Sequence, residues 1–549
     1  MNRTDDWPPK PQNIALAQQS LWSAWWVGDA DGLRSAYAAT GSAGGYEAQT
    51  KEHSFEPLTS RQGGLIPTIA RLFWGRPSVG SGRKAGLHVP IPADIATASA
   101  DLLFSEPPQF VLEGEDNLRK SMGENYVPSK SQARIDEVLN DGGFHSTLIE
   151  AGEVSSALGG GWLRLVWDTE IEQHVMVEAV AADSAFGEWR WGKLMAVTFF
   201  TEFKDKATDQ EVIRHLERHE SGAVIHSLYR GQVDKLGPAV DLASHPDTAG
   251  IAEMVGKDGV TLDEATRQVT IPTGIKGLTA AYVANMRPQR RWRKLPGICE
   301  LGRSDFDGVE PLFDALDETY TSWMRDVRLA KSRILVPEFM LTNMGKGGGS
   351  AWDEDQEVYA ALNVAPDKSA NQITAQQFAI RVAEHADTAD ALIDQILDAA
   401  GYSPSTFGRG TEGMATATEV VSKERKSDRT RDKKCRYWSQ TLDPLLSTWL
   451  ELDALVFKTG ASGQVETKWA DTTQADPLQL AQTASALRVA EAASTKTLVA
   501  MQHADWDEAE IDAEVALILD ESGRSVPEPL PFAGEHTDEN VPPEGTEPE

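Results

Sequence analysis

A basic segment without any apolar side chain places the strongest limit on how this chain can fold. The thirteen residues from Ser422 to Lys434, "SKERKSDRTRDKK", contain nothing apolar, and eight of the fourteen residues from Lys423 to Arg436 are Lys or Arg. The whole chain carries a formal net charge of −32. Helices in proteins are held mainly by an apolar stripe that packs on a core, which this segment lacks. The segment therefore needs other partners, and neighbouring copies of an acidic chain arranged in a ring would supply them.

Length and composition narrow the class of protein. A chain of 549 residues with 40% hydrophobic residues can form three or four structural regions. Cys299 and Cys435 are too few for a disulfide framework or a cysteine zinc site, which predicts synthesis in a reducing cytoplasm. The N-terminus "MNRTDDWPPKPQN" has no apolar signal core and the longest apolar stretches, such as "LMAVTFF", are far shorter than a membrane span, so we expect a soluble protein with no membrane partner. A sequence pI near 4.8 argues against tight, static binding to nucleic acid, yet it suits a wall that DNA slides past.

The pattern of the first 304 residues predicts an α+β fold that is mainly α. A helix is expected in "NIALAQQSLWSAWWVGDADGLRSAYAA", another ends at Glu106-Pro107-Pro108, and a third covers Ser129 to Gly159. Strands are expected in "GWLRLVWD", "HVMVEAVAAD" and "LMAVTFFTEF". The segment "EVIRHLERHESGAVIHSLYRG" is typical of a hairpin that turns at Glu220-Ser221-Gly222.

Helical spacing dominates from Asp305 onward. An amphipathic helix is predicted around Val309 to Val327, followed by two strand-like pieces, "ILVPEFMLTN" and "EVYAALNVAPD". A second helix is expected from Thr374 to Ala400, ending at Gly401. The basic segment then opens a long helix that continues through "LDPLLSTWLELDALVF", and Pro444 should kink it. Two or three further helices precede a Pro- and Glu-rich tail from Gly523 that we expect to be disordered.

Three motifs admit a functional and a structural interpretation, and the structural one is favoured for each. The glycine loop "NMGKGGGSA" lacks the order of a phosphate-binding loop and fits a flexible hairpin tip. His215 and His219 lie about 13 Å apart if they are on a strand, too far for one metal, so they fit solvated hairpin residues. The segment "RPQRRWRKLPG" fits an edge strand facing acidic neighbours better than a nucleic-acid patch. We expect no metal, no cofactor and no enzymatic activity.

The order of these elements resembles the portal proteins of tailed double-stranded DNA bacteriophages, of the siphophage type. The resemblance is carried by "GMATATEVVSKERKSDRT" followed by a helix ending "LDPLLSTWL". It is supported by "VPIPADIATASADLLFSEPP", "AWWVGDADGLRSAY" and "AASTKTLVAMQHADWDEAEIDAEVALIL". None of these is a catalytic signature, so the specificity lies in their number and order.

The resemblance implies a portal-like fold with a fixed sequence of regions. These are a wing (1–304, helical and then β-rich), a first stem helix (305–333), a clip (334–373), a second stem helix (374–402), a tunnel loop (403–414), a long kinked wing helix with a following strand (415–475), crown helices (476–522) and a disordered acidic tail (523–549).

It also implies site residues. The tunnel loop would face DNA through Ser403, Thr406, Phe407, Arg409 and Thr411, with Phe407 and Arg409 nearest to it. The basic helix would contact neighbouring subunits through Lys423, Arg425, Lys426, Arg429, Arg431, Lys433 and Lys434. The clip would contribute Phe339, Lys346, Trp352 and Tyr359.

The function implied is that of a virion component made in the host bacterial cytoplasm. A dodecameric ring at one capsid vertex would pass double-stranded DNA during packaging and ejection. Its partners would be the terminase large subunit, the head–tail adaptor, and the major capsid and scaffolding proteins. Two alternatives stay open: a virion or head-assembly scaffold without a channel, and a metal-dependent nucleic-acid-processing enzyme. In the portal interpretation the basic helix ties neighbouring subunits together, so changing Arg425, Arg429 and Arg431 to Glu should impair assembly.

Overall fold

A computed structural model shows a mixed α and β protein. It describes residues 6–29, 32–33, 87–123, 126–204, 211–329, 333–337, 359–362, 374–376, 380–409, 417–470, 477–490, 492–503, 506 and 508–521. The chain divides into two compact units, Met1–Ala470 and Asp471–Glu549. Within the described parts, no helix is both long enough and apolar enough to cross a membrane.

Helices of very different length make up much of the first unit. The longest, α9, has 40 residues and is therefore about 60 Å long. The helices are α1 (Gln12–Val27), α2 (Ile91–Phe104), α3 (Glu115–Met122), α4 (Lys130–Ile135), α5 (Phe144–Leu158), α6 (Pro246–Glu253), α7 (Glu310–Leu329), α8 (Val382–Ala400) and α9 (Ala417–Val456).

The described strands of the first unit form four sheets. A seven-stranded sheet has the order β4-β5-β6-β7-β10-β9 with β8 beside β7, and smaller sheets have the orders β11-β2-β3, β13-β12-β14 and β1-β15. The strands are β1 (Gln109–Leu112), β2 (Gly160–Val166), β3 (Met176–Ala181), β4 (Ala185–Arg190), β5 (Lys193–Lys204), β6 (Glu211–Glu220), β7 (Ala223–Gln232), β8 (Ala239–Val240), β9 (Thr261–Asp263), β10 (Gln268–Pro272), β11 (Ala280–Ala284), β12 (Arg333–Pro337), β13 (Tyr359–Leu362), β14 (Thr374–Gln376) and β15 (Val465–Lys468). The three predicted strands β2, β3 and β5 are confirmed, as is the hairpin that turns at Ser221-Gly222 between β6 and β7.

The two largest apolar cores among the described residues lie in the first unit. In one, α1, α7 and α8 meet through side chains that include Trp22, Phe313 and Ile396. In the other, the C-terminal half of α9 packs Trp438, Leu442, Leu446 and Trp449 against β1, β2, α4 and α5. Since these residues recur every three or four positions, that half of α9 has the apolar stripe that the basic half lacks.

The single helix predicted from Ser129 to Gly159 is wrong. The chain forms α4, a π-helical turn at Asp136–Asn140 and then α5. A Cβ atom at Gly142 would lie 2.1 Å from the Val138 carbonyl oxygen, so only glycine fits this close approach. The glycine pair Gly142-Gly143 therefore breaks the helix and lets α5 begin in a new direction.

Both predicted stem helices are shorter than expected. Helix α7 begins at Glu310, after a turn in which Glu310 Oε2 accepts a hydrogen bond from Gly308 N at 2.7 Å. The predicted start of α8 at Thr374 is wrong, because residues 374–376 pair as β14 with β12 and the helix begins only at Val382. Its predicted end is confirmed, since Gly401 caps the helix in the left-handed conformation.

The long helix continues through Pro444, which lies inside α9. The predicted strand after it is β15, paired antiparallel with β1. The second unit contains α10 (Pro477–Val489), α11 (Thr495–Gln502) and α12 (Glu508–Glu521), which confirms the prediction of two or three helices in this part of the chain. The tail predicted to be disordered lies outside the described residues.

Candidate functional site: the basic half of the long helix

The basic half of α9 buries a face made of polar side chains. Ser427, Thr430, Arg431 and Lys434 are each 5% exposed or less, and their spacing of three or four residues puts them on one side of the helix. We call these four residues the buried polar face. Buried polar groups are stable only when they are hydrogen-bonded, and each of the four has partners in its own chain. Hydrogen bonds thus take the place of an apolar stripe.

Lys434 is the centre of this face. Its ammonium donates to Ser99 Oγ and to Asp305 Oδ2, both at 2.6 Å, and to the Tyr402 hydroxyl at 3.0 Å. These partners lie in α2, just before α7, and just after α8. One side chain of α9 therefore joins three other elements.

Asp305 completes this cluster with further donors. Its Oδ2 atom also accepts hydrogen bonds from Ser156 Oγ and the Tyr402 hydroxyl at 2.7 Å each. Its Oδ1 atom accepts from Asn285 Nδ2 at 2.8 Å. We call Asp305, Lys434, Tyr402 and these neighbours the Asp305 cluster. It connects α5, the end of β11 and the start of α7 with α9.

Burial dominates the electrostatics of the Asp305 cluster. It lowers the pKa of Lys434, while the charge of Asp305 and its hydrogen bond raise it again. Burial, together with the neighbouring Asp305, raises the pKa of Tyr402 well above its usual value. Tyr402 therefore stays protonated and donates to Asp305. The carboxylate opposes the buried ammonium directly, at 2.6 Å.

Ser427 and Thr430 fix the turn that follows α8. Ser427 Oγ accepts a hydrogen bond from Ser403 N at 2.9 Å and lies 2.7 Å from Thr406 Oγ1. Thr430 Oγ1 donates to the Gly401 carbonyl at 2.7 Å. The start of the predicted tunnel loop is thus attached to the basic helix of its own chain.

We predict that Ser427→Ala lowers the free energy of unfolding by about 1–3 kcal/mol, because it leaves the buried Ser403 amide without an acceptor. Amide hydrogen exchange at Ser403 should speed up at the same time. A matched control is Thr448→Ala, which removes an exposed hydroxyl bonded within the same helix and should cost less than about 0.5 kcal/mol. Unchanged exchange at Ser403 would show that Ser427 does not hold the turn.

Arg431 donates hydrogen bonds to two backbone carbonyls of its own chain. Its Nε donates to Leu102 O at 2.7 Å and its Nη2 donates to Ala470 O at 3.0 Å. The prediction that Arg431 and Lys434 contact neighbouring subunits is therefore corrected, since both are buried within their own chain. Changing Arg431 to Glu would disturb the fold as well as any assembly.

The other cations of the helix point elsewhere. Lys426 bonds to the carboxylate and the carbonyl of Asp398 in α8. The side chain of Lys423 lies outside the described residues. We call Arg425, Arg429, Lys433 and Arg436 the basic stripe, because they follow one another at steps of four, four and three on the exposed side. Within the described part of the chain, no side chain forms an ion pair or hydrogen bond with these four.

The predicted tunnel loop begins as a compact turn. Residues Pro404–Phe407 form one turn of 3₁₀ helix, and Phe407 lies edge-on to Tyr402 with ring centroids 6.2 Å apart. Arg409 donates to Asp390 at 2.6 Å and to Asp394 at 3.1 Å, and these aspartates, Asp390 most strongly, raise its pKa. Ser403 is buried, while Thr411 lies outside the described residues.

The predicted clip residues are only partly described. Tyr359 begins β13, which pairs in parallel with β12. Phe339, Lys346 and Trp352, and the glycine loop around residues 343–351, lie outside the described residues. The backbone of the small sheet β13-β12-β14 lies between α7 and α8 in the chain, where the clip is predicted. The side chains of these three strands are outside the described residues.

The arginine-rich segment at residues 287–297 forms turns, so the predicted edge strand is wrong. The predicted acidic neighbours are confirmed. Arg287 pairs with Glu300, and Arg291 donates to Asp307 at 2.5 Å and to Glu310 at 2.7 Å. Glu310 also accepts from the indole of Trp22 at 3.0 Å, which ties this segment to α1 and α7.

The histidines of β6 lie on a strand as predicted, but they are not solvated. His219 is 1% exposed and bridges Glu217, at 2.7 Å, and the hydroxyl of Thr279, also at 2.7 Å. Thr279 is itself fully buried, so a substrate cannot reach the hydroxyl of this Glu217–His219–Thr279 hydrogen-bonded series. His215 instead faces His226 on β7 at 3.2 Å. No group of three or more metal-binding side chains occurs in the regions that the structure describes.

We predict that acid destabilises the protein through His226. Burial lowers its pKa from 6.5 to about 4, so unfolded chains take up this proton before folded chains do. The free energy of unfolding should therefore fall by about 2 kcal/mol between pH 7 and 4.5 from this group alone. Denaturation at several pH values should show a flatter profile for His226→Gln. The partly exposed His174→Gln is the control, and an equal slope in both variants would contradict the assignment.

Sequence patterns did not identify Asp305, Tyr402, Ser99 or Asn285 as parts of a site. The available signal was the pair Ser427 and Thr430, two hydroxyl residues three apart inside a charged run. Hydroxyl side chains at helical spacing can mark a face that bonds to backbone groups.

The comparisons with known proteins identify the class of protein. The family model described as "Phage portal protein, SPP1 Gp6-like" matches residues 83–528, most of the chain. The chain therefore belongs to this family of phage portal proteins. Portal proteins are structural components of phage particles rather than enzymes. No curated protein matches the sequence.

Solved structures of low similarity include parts of gene transfer agent particles. One, "Neck of native GTA particle computed with C12 symmetry", is 12% identical, covers 75% of this chain and 89% of its own, and has a TM-score of 0.34. Another, "Virion of native gene transfer agent (GTA) particle", is 13% identical, covers 80% and 99% of the two chains, and has a TM-score of 0.33.

Proposed function

We propose that this chain forms a dodecameric ring at the unique vertex of a phage capsid and that DNA enters and leaves the capsid through its central channel. The single observation that carries this proposal is the family match across residues 83–528. The ring would dock the terminase large subunit during packaging and the head–tail adaptor afterwards. Its other neighbours would be the major capsid and scaffolding proteins.

The architecture of the first unit supports an assignment of regions. Helices α7 and α8 flank the small β13-β12-β14 sheet in the chain, as two stem helices flank a clip. They are joined by Asp326, whose carboxylate accepts from Arg381 at 2.8 Å and lies 3.0 Å from His385 Nε2. We assign the stem to α7 and α8, the clip to residues 333–376 with their small sheet, the wing to the preceding sheets with α9, and the crown to α10, α11 and α12 of the second unit.

The segment after Tyr402 is the proposed tunnel loop. Phe407 and Arg409 remain our candidates for proximity to DNA. Arg409 is already engaged by Asp390 and Asp394, and these carboxylates lie beside the guanidinium. A guanidinium that is already paired attracts phosphate less strongly, so we propose that Arg409 lets DNA slide past rather than binding it tightly.

The position of the chain in the particle tests this proposal. Gold-labelled antibodies against the chain, applied to opened heads and examined by electron microscopy, should mark one vertex, where the tail attaches. Label spread over the shell would contradict a portal. Label that is present in immature heads and absent from mature ones would instead indicate a scaffold without a channel.

A further inference from the structure

The basic stripe of α9 has a counterpart on the same molecule. Helix α8 carries Asp387, Asp390, Asp394 and Asp398 on one exposed side, with steps of three, four and four residues. We call these four residues the acidic row. The stripe and the row each run over twelve residues, so their first and last members lie about 16 Å apart along the helix axis.

The order of the steps makes the two surfaces complementary. From its N-terminal end the stripe has steps of four, four and three, and the acidic row has the same steps when it is followed in the opposite direction, from Asp398 to Asp387. Two such helices laid antiparallel would place each cation opposite an acid. We propose that the basic stripe of one copy docks on the acidic row of a second copy. This rests on the proposed ring and names the surfaces that close it.

The acidic row is only partly neutralised within its own chain, so it can still bind cations of a second copy. Within its own chain it receives Arg409 at Asp390 and Asp394, and Lys426 at Asp398. Two cations on four carboxylates leave a net negative surface, and each carboxylate can accept several hydrogen bonds. The side chains of Asp390, Asp394 and Asp398 keep 55–72% of their surface exposed.

An acidic protein surface fits the basic stripe better than DNA does. Asp432 is 60% exposed beside the stripe, and Asp428 lies one turn before it. These carboxylates would lie close to the phosphates of a bound duplex and repel them. The chain itself, at −32, supplies acidic partners whenever two copies meet.

Charge-reversal substitutions on each surface, alone and combined, test the proposed docking. The stripe variant is Arg425→Glu/Arg429→Glu/Lys433→Glu. The row variant is Asp387→Lys/Asp390→Lys/Asp398→Lys, which leaves Asp394 for Arg409 and the Asp398 carbonyl for Lys426. A control, Lys130→Glu/Lys193→Glu/Lys257→Glu, changes the net charge as much as the stripe variant does, at exposed positions on other elements.

Each charge-reversed variant should raise the protein concentration needed for half-assembly by about 100-fold, measured by analytical ultracentrifugation. One chain carrying both sets of changes should assemble again, and the control should assemble like wild type. Normal assembly of the stripe variant would overturn the docking proposal. If that variant also lost affinity for duplex DNA, the stripe would be a DNA-binding surface instead. A wild-type chain that never assembles would overturn the ring as well, so the two failures are distinct.

Discussion

Asp305→Ala should lower the free energy of unfolding by about 3–5 kcal/mol, one of the two largest effects that we expect. The substitution leaves the Lys434 ammonium in the protein interior without its counter-charge, at a position that is 1% exposed. It also removes the acceptor for Ser156, Tyr402 and Asn285. Urea denaturation monitored by tryptophan fluorescence would measure the loss.

A double-mutant cycle separates the ion pair from the packing around it. Lys434→Met removes the buried charge and keeps much of the side-chain volume, so Asp305→Ala/Lys434→Met should be more stable than the sum of the single losses implies. Glu466→Ala, which breaks an exposed pair with Lys468, is the control and should cost less than about 1 kcal/mol. Additive losses in the cycle would contradict a coupled buried pair.

Trp449→Ala should be comparably destabilising, by about 3–5 kcal/mol. Trp449 is 0% exposed in the apolar core of the C-terminal half of α9, and its indole N–H donates to the Val175 carbonyl at 2.6 Å. Removal of the ring leaves a cavity and an unpaired carbonyl. Thermal and chemical denaturation should both report the change.

Two further substitutions at tryptophans test this explanation. Trp449→Phe keeps most of the apolar volume and loses only the hydrogen bond, so it should cost about 1–3 kcal/mol. Trp191 is 91% exposed at a hairpin tip, and Trp191→Ala should change stability by less than about 1 kcal/mol. If Trp449→Ala were as stable as Trp191→Ala, the C-terminal half of α9 would not be the anchor that its packing indicates.

Elements whose pattern is local were predictable from the sequence. The hairpin of β6 and β7 follows from alternating apolar residues on either side of Ser221-Gly222, and the end of α8 follows from Gly401. Helix α7 was predicted by the spacing of residues such as Phe313 and Leu316, which the structure places in the core. In each case the residues that determine the element are close together in the sequence.

Elements that depend on distant partners were not predictable. Residues 374–376 have a helical pattern, yet they pair with β12, some forty residues earlier in the chain. The break before α5 could have been predicted, because Gly142-Gly143 stands in the sequence, but the apolar spacing on either side concealed it. Local periodicity says nothing about which strand finds which neighbour.

The site was the least predictable part. Lys434 looks like a surface residue in a run of charges, and its partner Asp305 lies 129 residues away. Only the fold shows that the basic helix has two sides, a buried polar face bonded within the chain and an exposed basic stripe without a partner among the described residues. The sequence alone assigned both sides to neighbouring subunits.

The most direct test of the portal function is a cryo-electron microscopy reconstruction of the purified protein at low and moderate salt. We predict a closed ring of twelve copies with a central hole wide enough for duplex DNA. The basic stripe should lie at the contact between neighbouring copies, and the Asp305 cluster should lie inside each copy. A closed assembly without a central hole, or a protein that stays monomeric under every condition, would contradict this account.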